Sequence, residues 1–330
     1  MKTKYGVVFA LLAASIAVFP HPVQAQEEGF PFRFANFSLE IYGGFSKINP
    51  TEFNSISRYE ESYLKFFYFD KYEFLYGKDA TTTRTGDSRI GSLDRALPFG
   101  VRLTYRISPT LTLSLGIQRV KGDRNSTAGM VVAAPDGSGA EYRLPSFRLL
   151  ASAWIPEIRA TFGWNLPAAL RLELFMGGGP MFAECRSAFE RRDIIIDTQG
   201  RRYETRTTMD MTGRNTGICG ELGARLRIRP VKFLSLFAEG GFAFRHTSGL
   251  KGPGTLRTEI RNPGAEPIVH SENWDDKLWC LVQYYDYRDW GRLYGSMASN
   301  KYIVYDWGGT HAFSLDISGF QLKAGIAIGL

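Results

Sequence analysis

The sequence predicts an all-β fold, an eight-stranded antiparallel transmembrane β-barrel with long extracellular hairpin loops. Two observations lead to this prediction. Apolar and polar residues alternate with a period of two over many segments, which is typical of strands with one apolar and one polar face. The connections between these segments alternate between very short and very long. That rhythm is typical of bacterial outer-membrane barrels, whose short turns lie in the periplasm.

The first 25 residues are expected to be a signal for export rather than part of the fold. A basic start precedes an apolar run over residues 6–19, and the small-residue cleavage pattern VQA ends at residue 25. This apolar run is too short to span a membrane. We therefore predict residues 1–25 as a cleaved signal peptide and residues 26–330 as one outer-membrane β-barrel domain.

Eight segments carry the alternation and are the predicted strands. Their apolar faces take every second residue of Phe37 to Phe45, Leu97 to Ile107, Leu111 to Ile117, Ile158 to Trp164, Leu170 to Met176, Ile218 to Leu226, Leu234 to Phe244 and Phe320 to Leu330. Just before the last strand, Phe313, Leu315 and Ile317 alternate with the opposite phase. The change of phase predicts a β-bulge at Ser318-Gly319.

The connections between the predicted strands fall into two classes. Three short ones contain Pro109, Pro167 and Pro230, and four long ones cover roughly residues 49–96, 122–146, 184–213 and 247–310. The stretches VVAAPDGSGAEYR, DIIIDTQGRRYETRT and TLRTEIRNPGAEPIVH are predicted to be protruding hairpins that turn at Asp-Gly, Gln-Gly and Pro-Gly. The aromatic-rich stretches ESYLKFFYFDKYEFLYGK and DDKLWCLVQYYDYRDWGRLYG are candidates for a short helix over the barrel mouth.

The polar faces of the predicted strands carry both signs of charge. The carboxylates and cations assigned to the interior are Glu40, Glu173, Glu221 and Glu239 with Arg102, Arg159, Arg171, Arg225 and Lys323. An eight-stranded barrel is just wide enough for side chains to fill, and buried charges need partners. The lumen is therefore predicted to be plugged by charged side chains. A soluble periplasmic sandwich, with its apolar faces inward, is the alternative architecture.

Composition and cysteine usage exclude several classes of function. The formal net charge of +7 is too diffuse to indicate a nucleic-acid partner, although it suits anionic lipid. The chain has three cysteines, Cys185, Cys219 and Cys280, without metal-like spacing, and at most one disulfide can join two of them. The glycines at 177–179 lack the lysine and the strand-to-helix context of a phosphate loop. No cofactor or metal is expected.

In architecture, the chain resembles the small eight-stranded outer-membrane barrel proteins, of the sort that includes OmpA, OmpX and OmpW. The stretch LDISGFQLKAGIAIGL looks like the closing strand of such families, although it ends in Leu330 where bacterial barrels usually place an aromatic residue. The resemblance implies an outer-membrane location and insertion by the barrel-assembly machinery. It implies contact with outer-membrane lipid and lipopolysaccharide. Eight or ten strands, the oligomeric state and any extracellular ligand or partner protein stay open.

Arginine is concentrated in the third long connection. The residues predicted to contact lipopolysaccharide phosphates are Arg191, Arg192, Arg201, Arg202 and Arg206, because the planar guanidinium suits phosphate. The favoured alternative is a solvated hairpin in which they pair with Glu190, Asp193, Asp197, Glu204 and Asp210. Aromatic residues of the fourth connection either stack on sugars or a partner protein, or form a small core: Tyr284, Tyr285, Tyr287 and Trp290.

The stretch FRHTSG lies where the seventh predicted strand ends, with His246 on the lipid-facing side. It is similar to the His-x-Ser-Asn motif of the outer-membrane lipid A 3-O-deacylases. The similarity implies Ser248 as nucleophile, His246 as its base and a carboxylate that orients the histidine, with Glu259 and Asp316 as candidates. Gly249 stands where that family has Asn. We interpret the stretch as a strand end rather than an active site.

The predicted function is therefore that of an outer-membrane β-barrel with a structural, adhesive or surface-interaction role. The alternative from a different class is a lipid A deacylase that uses His246 and Ser248. A narrow channel for small apolar molecules is a weaker alternative.

Overall fold

The structure, a computed structural model, describes residues 36–50, 54, 83–85, 90–133, 139–167, 169–231, 233–277, 279–283, 293–298 and 310–330. The chain is all-β, as predicted. Within these ranges, no helix has the length and apolar character needed to cross a membrane. Outside them lie the predicted signal peptide, the aromatic stretch at 61–78, the Asp136-Gly137 turn, and Tyr284, Tyr285, Tyr287 and Trp290.

The described residues form 16 strands. In chain order they are β1 (Phe37–Lys47), β2 (Thr83–Thr85), β3 (Arg95–Arg106), β4 (Leu111–Thr127), β5 (Met130–Ala133), β6 (Ala140–Asn165), β7 (Leu170–Ile196), β8 (Arg202–Val231), β9 (Leu234–Ser248), β10 (Lys251–Arg261), β11 (Ile268–Lys277), β12 (Trp279–Gln283), β13 (Leu293–Ala298), β14 (Thr310–Ala312), β15 (Ser314–Asp316) and β16 (Gly319–Gly329).

Eight of these strands close into an antiparallel ring. The order around it is β1, β3, β4, β6, β7, β8, β9 and β16, and β16 pairs back onto β1. Closure leaves each of the eight with a hydrogen-bonded neighbour on both sides, so this part of the sheet has no free edge. The predicted count of eight strands is confirmed. The short connections at Pro109, Pro167 and Pro230 all lie at one end of the ring, which we call the short-turn end.

The two faces of the ring carry the predicted residues. Large apolar side chains point outward and are exposed, including Leu115 at 63%, Leu222 at 64% and Leu322 at 67%. Charged side chains point inward and are buried, Arg102 and Arg159 among them. Because side chains alternate along a strand, one run of sequence supplies both faces. The polarity of this half of the ring is the reverse of that of a water-soluble domain.

Away from the short-turn end, the polarity of both faces reverses. On β6 the inward residues are polar at Glu157 and Arg159, but apolar and buried from Ile155 back to Phe147. On the outward face, exposed Trp154 is followed by Ser152, the partly buried Leu150 and the exposed Arg148. The inward apolar residues form a core that fills the ring in this half and includes Val120, Leu149, Ile155, Met181, Phe313, Leu315 and Ile317. Buried charged side chains therefore occupy the interior of the short-turn half, and the other half holds the apolar core.

The predicted bulge at Ser318-Gly319 is wrong. The pairing of β9 with β15 continues into its pairing with β16 in a single register, since Asp316 lies opposite His246 and Gly319 lies opposite Ala243. No residue is inserted. The apolar residues change phase at this point because the apolar environment changes from the outside of the ring to its interior.

Two of the predicted hairpins are complete in the structure. β7 and β8 extend beyond the ring to a turn at residues 197–201, where Gly200 has φ +74°. β10 and β11 form the hairpin that turns at Gly264, with φ +73°, and β10 also pairs with the outer part of β8. Strands β5 and β6 pair as the arms of the third. Where the fourth long connection is described it forms strands, not a helix.

Candidate functional site

The interior of the short-turn half holds an ion-pair network centred on Glu239 of β9. Its carboxylate accepts hydrogen bonds from Arg159 at 2.8 Å, Arg225 at 2.8 Å and Arg102 at 3.3 Å. The Nζ atom of Lys323 lies 3.5 Å from it. These side chains are almost inaccessible to solvent. Charge-assisted hydrogen bonds of this kind are the strong ones, and buried charges persist only when they are paired.

Three further carboxylates extend the network across the ring. Glu40 accepts from Arg225 at 2.8 Å and from Arg102 at 3.2 Å. Glu157 accepts from Arg102 at 2.6 Å. Glu221 accepts from Arg159 and from Lys323, the latter at 2.8 Å. Each of the four cations named here contacts at least two carboxylates, so the network joins opposite walls of the ring.

Aromatic rings pack against the buried guanidinium groups. The Cζ atom of Arg102 lies 4.0 Å from the ring centroid of Tyr42, and that of Arg225 lies 4.3 Å from the centroid of Phe237. Such contacts are cation–π interactions. A glycine makes room for one of these rings, because a Cβ on Gly325 would lie 2.6 Å from Phe237. Side chains thus fill the cross-section.

Sequence reasoning located most of this network. The structure brings together the nine predicted charges, since Glu173 contacts Arg225 at 3.5 Å and Arg171 pairs with Glu173 at 3.0 Å nearer the short-turn end. The residues that we predicted from the sequence to lie in the interior did not include Glu157, Tyr42 and Arg227. In the structure Tyr42 donates to Glu157, and Arg227 donates to Glu40. Their signal was present, because all three lie on the inward parity of their strands. Their partners depend on cross-strand register, which the sequence leaves open.

A layer of amides separates the charged network from the apolar core. Arg245 donates to the side-chain oxygens of Gln118, at 3.0 Å, and Gln321, at 2.6 Å. The amide nitrogen of Gln321 donates in turn to Glu221 at 2.8 Å. All of these side chains are buried. The interior therefore changes from ion pairs, through amides, to apolar packing as one moves away from the short turns.

The five arginines predicted to contact lipopolysaccharide lie on the β7–β8 hairpin, and each is in an ion pair. The pairs are Arg191 with Asp193, Arg192 with Glu190, Arg201 with Asp197, Arg202 with Glu204, and Arg206 with Glu190, at 2.7–3.0 Å. Partial burial raises the pKa of Glu190, but hydrogen bonds from Arg206 and Arg192 lower it more, so its pKa lies below the ordinary value. These pairings are those of the solvated-hairpin alternative.

His246 and Ser248 lie at the outer end of β9, on the outward face. Asp316 lies directly opposite His246 on β15, whereas Glu259 lies on β10 and pairs with Arg261 at 2.6 Å. Of the two candidate carboxylates, the structure therefore places Asp316 beside the histidine. An oxygen of Asp316 accepts from the backbone N–H of Ser318 at 2.9 Å. Among the hydrogen bonds of the described residues, none joins His246 to Ser248 or Asp316.

Two of the three cysteines are buried free thiols, Cys185 and Cys219. Complete burial raises the pKa of Cys185 to about 12, which disfavours the thiolate and makes the group unreactive. The described residues contain no cluster of His, Cys, Asp or Glu that could hold a metal ion.

No protein-family model matches the chain, and a search of curated proteins finds no significant match.

Proposed function

We propose that the chain is a transmembrane β-barrel of a bacterial outer membrane, with a sealed interior and a structural or adhesive role at the cell surface. One observation carries the proposal, the reversal of polarity on both faces of the ring at one level. A ring with exposed Leu and Phe outside and buried ion pairs inside suits a surrounding of lipid. Beyond that level, charged residues outside and an apolar core inside suit a surrounding of water.

The height of the exposed apolar belt fits a bilayer. On β9 it runs from Leu234 to Phe244, a length of about 11 residues, and about 9–11 tilted residues cross the hydrocarbon core. Outward-facing Trp164 stands at the short-turn border of the belt and Trp154 at the other border, where an aromatic girdle belongs.

A row of cations follows the belt on three neighbouring strands. Lys47 of β1 lies opposite Arg95 of β3, and Arg119 and Lys121 of β4 lie opposite Phe99 and Leu97 of β3. We call these four the cation row. Within the described part of the chain, Lys47, Arg119 and Lys121 have no carboxylate partner. Since the five hairpin arginines are already paired, the cation row is the surface better suited to lipid phosphates.

The sealed interior argues against a channel for small apolar molecules. At the level of the apolar core, Leu149, Ile155, Met181 and Phe313 are completely buried. At the level of the network, ion pairs join opposite walls. A packed interior with two layers of different chemistry favours a structural role over a transport function.

The adhesive or surface-interaction role is supported by the sheet that extends beyond the ring. Strands β6, β7, β8, β10 and β11 continue side by side there, and β11 pairs only with β10 within the described residues. Ile268 and Val269 of this edge strand are exposed. An edge strand offers free backbone hydrogen-bonding groups to another chain.

The test is to fold the purified protein in detergent and to measure its gel migration with and without heating, then its conductance in planar bilayers. A folded barrel migrates faster before heating than after it, and a sealed one gives no large, stable conductance. Recovery of folded protein from the aqueous fraction without detergent would contradict the membrane proposal. A wide, stable pore would contradict the sealed interior.

A second candidate function, a lipid A acyl hydrolase, is favoured by one observation, the position of Asp316 opposite His246. In that function the Ser248 hydroxyl attacks an ester carbonyl while His246 accepts its proton, the ester C–O bond breaks and the sugar hydroxyl leaves with that proton, and water then hydrolyses the acyl-serine to release the fatty acid. Lipid A mass spectrometry with unmodified protein and Ser248→Ala tests it. A loss of one acyl chain that depends on Ser248 supports the enzyme, and identical lipid A in both samples rejects it.

A further inference from the structure

The short-turn end of the ring opens into a recess with a volume of about 520 Å³. Its lining includes Asn36, Asn165 and four arginines, Arg106, Arg171, Arg227 and Arg229. The volume lies within the range of small-molecule sites. The recess lies at the opposite end of the ring from the hairpins and from His246, and it borders the interior network through Arg227, which donates to Glu40.

The four arginines converge on the recess from three strands. Arg106 is inward-facing on β3, Arg171 on β7, and Arg227 and Arg229 on β8. The described lining contains no carboxylate, and Glu173 lines a smaller adjoining cavity that shares the four arginines. Cations held this close repel one another, so the recess is a site of positive potential, and low-dielectric walls increase that potential.

The carboxylates beside the recess are each shared among several arginines. Glu173 is shared among Arg171 at 3.0 Å, Arg227 at 3.4 Å and Arg225 at 3.5 Å. Arg227 also reaches Glu40, which belongs to the buried network. In the described part of the chain, the guanidinium of Arg106 has no hydrogen bond and no ion pair with a carboxylate. Its guanidinium therefore has a full set of donors for a ligand.

The buried ion-pair network forms the floor of the recess, so the recess does not lead into a channel through the ring. Directly above it in the ring, Arg225 and Glu239 are buried and joined at 2.8 Å. Neutral hydrogen-bonding groups stand beside the arginines, among them Ser235 and Asn165, whose side-chain oxygen accepts from Arg171 at 3.2 Å. An anion that enters meets guanidinium forks and polar groups and can go no further.

We propose that this recess binds a small molecule that carries a diphosphate group. Guanidinium forks match phosphate oxygens in bidentate fashion, and the number of arginines and the size of the recess exceed what one phosphate needs. The inference does not depend on the membrane proposal, because it rests on the recess and its charges alone.

The experiment is calorimetric titration of the folded full chain with inorganic pyrophosphate, and separately with inorganic phosphate and with glycerol phosphate, the group that a lipid headgroup shares. We expect pyrophosphate to bind more tightly than either monophosphate, and to weaken as salt is added. Arg106→Gln should weaken pyrophosphate binding by about tenfold or more, since hydrogen bonds to charged groups are among the strongest. Arg106→Lys should weaken it less, because it keeps the charge and loses the fork.

The matched control is Arg257→Gln, an exposed arginine of β10 at the other end of the molecule. It should bind pyrophosphate as the unmodified protein does. Folding of Arg106→Gln is checked by its circular dichroism, and is expected to be intact because Arg106 makes no ion pair in the described structure. Absence of pyrophosphate binding at millimolar concentration, or equal binding by Arg106→Gln and the control, overturns the proposal. Tighter binding of glycerol phosphate than pyrophosphate overturns the diphosphate assignment.

Discussion

Replacement of Glu239 by Ala should be among the most destabilising single changes in the ring. The carboxylate is buried at the centre of the network and receives hydrogen bonds from Arg102, Arg159 and Arg225. Alanine leaves no acceptor in its place. Removal of one partner from a buried ion-pair network leaves uncompensated charge.

The size of the effect follows from the partners that remain. Arg102 and Arg225 keep Glu40, and Arg159 keeps Glu221. Each cation therefore loses one carboxylate and retains another. The expected loss is about 3–5 kcal/mol in the free energy of unfolding, the usual cost of breaking a buried pair. Glu239→Gln should cost less, because the amide oxygen still accepts hydrogen bonds while the charge is lost.

The assay is urea unfolding of the protein folded in lipid vesicles, followed by tryptophan fluorescence. The matched control is Asp123→Ala, which removes the exposed partner of Arg148 at 3.2 Å. That change should cost less than about 1 kcal/mol, as exposed ion pairs usually do. If Glu239→Ala proves as stable as the control, the reasoning about the buried network is refuted.

The remaining predictions concern the outer part of the molecule. Double replacement of Arg119 and Lys121 by Gln should reduce binding to vesicles that contain phosphatidylglycerol, measured by flotation. Arg192→Gln should not reduce it, because that arginine is already paired with Glu190. Equal losses of binding in the two variants would contradict this prediction. A variant whose single cysteine is Cys185 should resist maleimide at neutral pH until it is unfolded, as its raised pKa and burial require; rapid labelling of folded protein would contradict it. Since the pKa of Glu190 is lower in the folded state, its stabilising contribution is full above its unfolded pKa and is lost as the pH falls through its folded pKa. The hydrogen-exchange protection factors of the β7–β8 hairpin should therefore fall at acidic pH, and fall less in Glu190→Gln.

The fold was accessible from the sequence because two signals agreed. The alternation fixed which residues share a face, and the lengths of the connections gave the antiparallel order. The error at Ser318-Gly319 has a physical origin. Parity shows which side chains share a face, but an apolar side chain points outward in one half of the ring and inward in the other. Phe313 and Leu315 keep the inward parity of Gln321 and Lys323, so only the surrounding medium changes.

The candidate site was only partly accessible, because its contacts depend on register. Glu157 and Arg102 are far apart in the sequence and meet at 2.6 Å across the interior. Asp316 was one of two candidate carboxylates until the pairing of β15 with β9 placed it opposite His246. No pattern in the sequence predicted that β10 pairs with β8 beyond the ring. Local patterns predict strands and faces, whereas partners across the ring require the three-dimensional structure.

We propose that the exposed apolar face of the ring is in contact with lipid. Nitroxide scanning along β4 in lipid vesicles tests this contact. Spin labels placed one at a time from residue 111 to residue 118 report collisions with oxygen, which concentrates in lipid, and with a water-soluble relaxing agent. We expect high oxygen accessibility at positions 113, 115 and 117 and low accessibility at 114 and 116, a period of two. High accessibility of positions 113, 115 and 117 to the water-soluble agent would contradict it.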